Sequence, residues 1–263
     1  LWRKPFSYDN EWNNLYKIIP IYLSFLSEET KFKHGIQEIS IPTIPFIDYV
    51  SYIRELDLYS LLLQLCEWMV KSKFINTRPR ILTETDDFDD EDPIIRLICQ
   101  DMTEKISLKR TMYIIKEIIM IIVERSTRID YLEITMGNMD GIVFDYLDSE
   151  YFVDIFNAIP PNWFANISKL EYDGRHLLER FTEHAPNIKS LSFGFHTFTQ
   201  KLISKISSLI SFQNNLVDLD IYLGYNEDYI ESEINISDIS EVILTLIEKV
   251  HSLKSLSLAS GGN

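Results

Sequence analysis

Only two cysteines, Cys66 and Cys99, occur in 263 residues, and they stand far apart. That excludes a disulfide framework and suits a reducing compartment, so a cytoplasmic or nuclear location is expected. Basic residues are also scarce: 25 Lys and Arg face 40 Asp and Glu, a formal net charge of −15. No basic stripe is available for a phosphate backbone, and an anionic bilayer surface would repel the chain. Nucleic acid and membrane partners are therefore not expected. Long apolar runs are missing as well. The most apolar stretch, residues 113–123, contains Lys116 and Glu117 and is too short to span a bilayer, so it reads as a buried helix.

Catalytic patterns are equally scarce. There is no GxSxG elbow, no phosphate-binding glycine loop and no HExxH pair. The one glycine-bracketed turn, Gly137-Asn138-Met139-Asp140-Gly141, reads as a loop after a strand. His176 and His184 fall near opposite ends of one expected helix, with neither cysteine close by, which is too few ligands for zinc. Cys66 sits on the apolar stripe of a helix and reads as a small core residue. The segment ETDDFDDED, residues 84–92, reads as a solvated acidic loop; counted from Asp87, the closing position of an EF-hand falls on Ile98. Asn166-Ile167-Ser168 and Asn235-Ile236-Ser237 match the glycosylation pattern and are expected to be chance matches. No catalytic residue, cofactor or metal is expected, and the chain does not read as an enzyme.

What the chain does contain is one short phrase written six times: aliphatic, two variable residues, Leu, one variable residue, apolar. Copies begin at Ile53 (IRELDL), Ile129 (IDYLEI), Ile167 (ISKLEY), Ile188 (IKSLSF), Leu216 (LVDLDI) and Leu253 (LKSLSL). Amphipathic stripes lie between most of them. Leu62, Leu65, Cys66 and Met69 form one within residues 61–71, and a second, Ile-dense helix is expected over residues 107–124. Leu202, Ile203, Ile206, Leu209 and Ile210 form another, and Ile239, Val242, Ile243, Leu246, Ile247 and Val250 a further one. Asp238 with Glu241 offers the latter a capping box.

Strand-plus-helix units in series predict an α/β fold, an irregular leucine-rich-repeat-like solenoid with parallel strands on the inner face and helices on the outer. The irregularity follows from the gaps between central Leu residues after Leu132, which run 38, 21, 28 and 37. Residues 1–48 read as a helical segment, with Trp12, Leu15, Ile19, Tyr22, Leu23 and Leu26 near helical spacing and an interruption at Pro20. The repeat domain is expected over 49–263, its first strand over residues 52–58. No polar cap is evident at either end, so the expectation is a part of a longer protein.

In a strand the side chains alternate, so the Leu of each phrase points to the core while its neighbours share the other face. Those neighbours are Glu55 and Asp57, Tyr131 and Glu133, Lys169 and Glu171, Ser190 and Ser192, Asp218 and Asp220, Ser255 and Ser257; Asp173 and Tyr222 extend two strands by one step. Two readings of this acid-rich face stand. It is the solvated face of an acidic protein, or it is a surface that selects a Lys/Arg-rich protein, with Tyr131 and Tyr222 adding apolar contact.

Leu1-Trp2-Arg3-Lys4-Pro5-Phe6 resembles the segment that directly follows the F-box in large fungal families of F-box proteins. IIPIYLSFLSEE from Ile18, YIRELDLYSL from Tyr52 and HAPNIKSLSF from His184 are similar to those families as well. The resemblance implies the substrate receptor of a Skp–cullin–F-box ubiquitin ligase, in which the F-box holds the adaptor and the repeats hold the target. The F-box itself is missing from this chain, so adaptor binding is expected only through a segment not present here. The alternative is a leucine-rich-repeat interaction scaffold unrelated to ubiquitination. Phosphorylated targets fit an acidic face poorly.

Overall fold

The computed structural model describes residues 3, 5, 15–36, 45, 47–72, 105–134, 150–173, 176–195, 200–223 and 252–260. Cys99, the acidic segment 84–92, the turn 137–141 and the expected helix 239–250 with Asp238 and Glu241 lie outside them.

Six strands form one parallel sheet in sequence order: β1 (Glu55–Asp57), β2 (Tyr131–Ile134), β3 (Lys169–Tyr172), β4 (Ser190–Phe195), β5 (Asp218–Leu223) and β6 (Ser255–Ser260). Each strand is one of the six phrases, and their central residues align across the whole sheet: Leu56, Leu132, Leu170, Leu191, Leu219 and Leu256. A second row on the same face runs Ile134, Tyr172, Phe193 and Ile221. The fold is therefore α/β with a parallel sheet, as the phrases require.

One hydrogen-bonding step recurs at every junction. The carbonyl of Arg54 accepts the N–H groups of Asp130 (2.7 Å) and Tyr131 (3.1 Å). The carbonyl of Asp130 does the same for Ser168 and Lys169, that of Ser168 for Lys189 and Ser190, that of Lys189 for Val217 and Asp218, and that of Val217 for Lys254 and Ser255. The phrase thus repeats in space with its register, and a one-residue slip would turn every Leu out of the core.

The chain divides into two compact units, Leu1–Ile53 with Leu58–Thr127, and Arg54–Asp57 with Arg128–Asn263. In the first, α1 (Ile19–Ser24), α3 (Leu58–Lys71) and α4 (Lys105–Arg125) pack on one another, and α2 (Glu28–Lys33) follows α1. Ile19, Leu23, Leu61, Leu65, Met69, Ile118 and Ile122 are buried there. Pro20 does not interrupt a helix, as the sequence reading expected, but sits in the first turn of α1, where its missing N–H has no intrahelical partner to lose. The break falls instead at residues 25–27, where Ser27 caps α2 by accepting the Thr30 N–H at 3.1 Å. The first strand is also shorter than expected, because a 3-10 turn (Tyr49–Tyr52) precedes it and α3 begins at once with Leu58.

In the second unit, α5 (Glu150–Ala158) and α6 (Pro161–Phe164) lie between β2 and β3, α7 (Leu178–His184) between β3 and β4, and α8 (Gln200–Phe212) between β4 and β5. Consecutive helices α6, α7 and α8 pack in the order of the strands they connect. Phe164 and Phe181 meet edge-on at 5.9 Å, and Phe181 meets Tyr172 of β3 at 5.6 Å, which places α7 on the buried face of the sheet. Arg180 ties α7 to the end of α5 by donating to the carbonyls of Phe156 (3.0 Å) and Ile159 (2.6 Å). The Phe156 carbonyl, in the last turn of α5, also accepts the Ile159 N–H at 3.2 Å. His176 lies ahead of α7 rather than on it, which corrects the expectation of one helix carrying both histidines.

Gln213 fastens the end of α8 to the phrase of β4. Its Oε1 accepts the Ile188 N–H at 3.0 Å, its Nε2 donates to the Leu209 carbonyl at 3.3 Å, and it is wholly buried. Gln213→Ala is expected to leave the Ile188 N–H buried without that partner, at a cost of about 1–3 kcal/mol. A urea midpoint unchanged from the parent would contradict this role.

Candidate functional site

Turning the Leu row into the core turns its neighbours to the opposite face, and the register orders them into rows. The first row is Glu55, Tyr131, Lys169, Ser190, Asp218 and Ser255; the second is Asp57, Glu133, Glu171, Ser192, Asp220 and Ser257. Neighbours in a row stand one strand spacing apart, about 4.8 Å. All of them are half-buried or exposed, whereas Leu132, Leu170, Leu191 and Leu219 between them are buried. All ten expected site residues thus lie on one face of one sheet.

The two halves of that face differ. On β2 and β3 the side chains satisfy one another. Tyr131 donates its hydroxyl to Glu133 Oε2 at 2.5 Å, Lys169 Nζ stands 2.7 Å from Glu171 Oε1, and the same Nζ lies 4.4 Å above the Tyr131 ring. Partial burial raises the Tyr131 pKa above its ordinary value, and the hydrogen bond and negative charge of Glu133, then Glu171, push it further. Tyr131 is therefore a firm proton donor, and Lys169 is committed to Glu171 and to the ring.

On β5 the acids are unengaged. Asp218 and Asp220 are exposed, and among the described residues neither side chain makes a hydrogen bond or an ion pair. Their row neighbours on β4 and β6 are all serines. Tyr222, one step further along, is 48% exposed. It pairs with Gly194 of β4 and Ala259 of β6. A Cβ at Gly194 would come within 2.5 Å of Asp173 Oδ1, so the glycine makes room for that carboxylate. Asp173 thus lies beside Gly194, while the serines of β4 stand between Lys169 and Glu171 on β3 and Asp218 and Asp220 on β5.

Chemically, this half of the face offers hydrogen-bond acceptors of one charge, an exposed aromatic ring and small side chains that leave approach open. It suits the recognition of guanidinium or ammonium groups. Among the described residues no group of three or more His, Cys, Asp or Glu side chains is placed to hold a metal ion, and no helix is long and apolar enough to cross a membrane. Cys66 is buried and in no disulfide, and His184 stacks on Phe164 with ring centroids 6.5 Å apart. The split between a self-satisfied and an unengaged half was missed at the level of sequence. Aligning the six phrases would have exposed it, since that alone sets Lys169 beside Tyr131 and the β5 acids between serines.

Compared with protein-family models, curated proteins and solved structures, the chain matches none of them.

Proposed function

We propose that this chain is a protein-recognition module built as an irregular leucine-rich-repeat-like solenoid, and that it serves as the substrate-receptor part of an F-box ubiquitin ligase in the cytoplasm or nucleus. Its target is a basic protein held against the acidic face of the sheet. The observation that carries the recognition reading is the pair Asp218 and Asp220 on β5, exposed and unengaged on a face whose other side is core. Lys169, on β3 of the same sheet, pairs with Glu171 and leaves the β5 pair open to a basic target.

The module acts by tethering rather than by catalysis: it raises the local concentration of its target near a ligase bound elsewhere on the same protein. The ligase link rests on the resemblance of LWRKPF and of the phrases to F-box proteins. Affinity capture with the full-length protein that contains this sequence, set beside capture with the present chain, tests that link. A ligase adaptor and a cullin recovered with the full-length protein are the expected result. Their absence would remove the ligase role and leave an interaction scaffold.

A further inference from the structure

The outer face of β4, a strand paired on both sides, carries only small residues: Ser190, Ser192 and Gly194. The strands beside it carry larger ones on the same face, so the surface above β4 is a trough. Its walls stand two strand spacings, or about 10 Å, apart. The trough changes along its length. At Ser190 the β3 wall is Lys169, which Glu171 holds. At Ser192 both walls are carboxylates, Glu171 and Asp220. At Gly194 the walls are Asp173 and Tyr222.

Asp173 does not stay above its own strand. A Cβ at Gly194 would come within 2.5 Å of Asp173 Oδ1 and 3.0 Å of its Cγ, so this carboxylate leans over the floor of the trough. From there, Asp220 lies one strand across and two residues back, a separation of about 8 Å. Two charge-assisted bonds of about 2.8 Å plus the width of a guanidinium span the same distance. An ammonium making two such bonds spans no more than about 5.6 Å and reaches one wall only. Tyr222, exposed on the β5 wall, is the ring on which a guanidinium stacks better than an ammonium does.

We infer that the trough above Ser192 and Gly194 seats one arginine side chain of the target, its guanidinium bridging Asp173 and Asp220 and lying against Tyr222. Arginine is selected over lysine because its planar fork meets both walls at once. Gly194 determines that selectivity: with no side chain it admits the Asp173 carboxylate, and any Cβ there would displace it. The inference rests on the acidic-face reading and names the residue that the face reads and the strand above which it sits.

The test uses three short peptides of glycine and serine, carrying one arginine, one lysine or one citrulline. Each is titrated into the whole isotope-labelled chain, with amide shifts at Ser192 and Gly194 as the signal. The arginine peptide is expected to bind at least ~10-fold more tightly than the lysine peptide, and the uncharged citrulline peptide to produce no shift. Gly194→Ala, which leaves every charge in place, is expected to reduce arginine binding to the lysine level, and Tyr222→Leu to narrow the same gap. The peptide series needs only the parent chain, so it does not depend on either variant folding. Equal affinity for arginine and lysine overturns the seat while leaving the acidic face standing. Citrulline binding as tightly as arginine overturns both readings. Shifts confined to β2, or none with any peptide, overturn the seat, and charge reversal of Asp218 and Asp220 then tests the acidic face separately.

Discussion

Reversing both charges, Asp218→Lys with Asp220→Lys, is expected to weaken capture of a basic target by about 100-fold or more. Each carboxylate forms a charge-assisted hydrogen bond worth about 1.5–3 kcal/mol when paired, and the introduced ammonium groups add repulsion. Folding should be spared. Both side chains are exposed and make no contact that the fold uses, so the melting temperature should move by no more than a few degrees. Titration of a recovered basic target against the parent and the double variant, with a thermal melt of each, provides the measurement. Unchanged affinity would return the acids to the role of a solvated face. A collapsed melt would show that β5 needs them for structure.

The second large effect falls on the opposite face of the same strands. Leu170 lies on β3, between β2 and β4, with 0% exposure and Leu132 and Leu191 beside it in register. Leu170→Ala removes buried methyl groups from a packed row and is expected to cost about 2–5 kcal/mol. Ser192→Ala, on the other face of β4, should cost no more than about 0.5 kcal/mol. Urea unfolding of the two variants separates the faces. Similar midpoints would contradict the assignment of core and surface.

These two expectations depend on one feature legible in the sequence: a period of two within the phrase and a Leu at its centre. Burial of every second side chain is a simple physical demand of a strand with one covered face. A motif repeated six times therefore declared the strands, their faces and their register at once. The stripe of Leu202, Ile203, Ile206, Leu209 and Ile210 announced α8 for the same kind of reason, and all five are buried.

Less legible were features in which one residue type has two roles. Pro20 reads as a helix breaker by composition but starts α1, and Pro161 likewise opens α6 after Pro160. Helix position decides between the two roles, and composition does not carry it. The short helices α5 and α6 escaped because their apolar side chains serve a local aromatic cluster. Phe156, Phe164 and Phe181 contact one another across three helices, and such contacts leave no long periodic stripe.

At the candidate site, the ten residues were legible as a set but not as two groups. That Tyr131 bonds to Glu133 while Lys169 pairs with Glu171 and lies over the Tyr131 ring depends on rotamers and on the small spacing between β2 and β3.

The recognition surface itself is tested most directly by hydroxyl-radical footprinting of the chain with and without a bound target. Tyr222 on the acidic face is 48% exposed and Phe212 at the end of α8 is 40% exposed, so both report at the outset. The account predicts that the target protects Tyr222 and leaves Phe212 as reactive as before. Protection of Phe212 with Tyr222 unchanged would place binding away from the acidic face and contradict it.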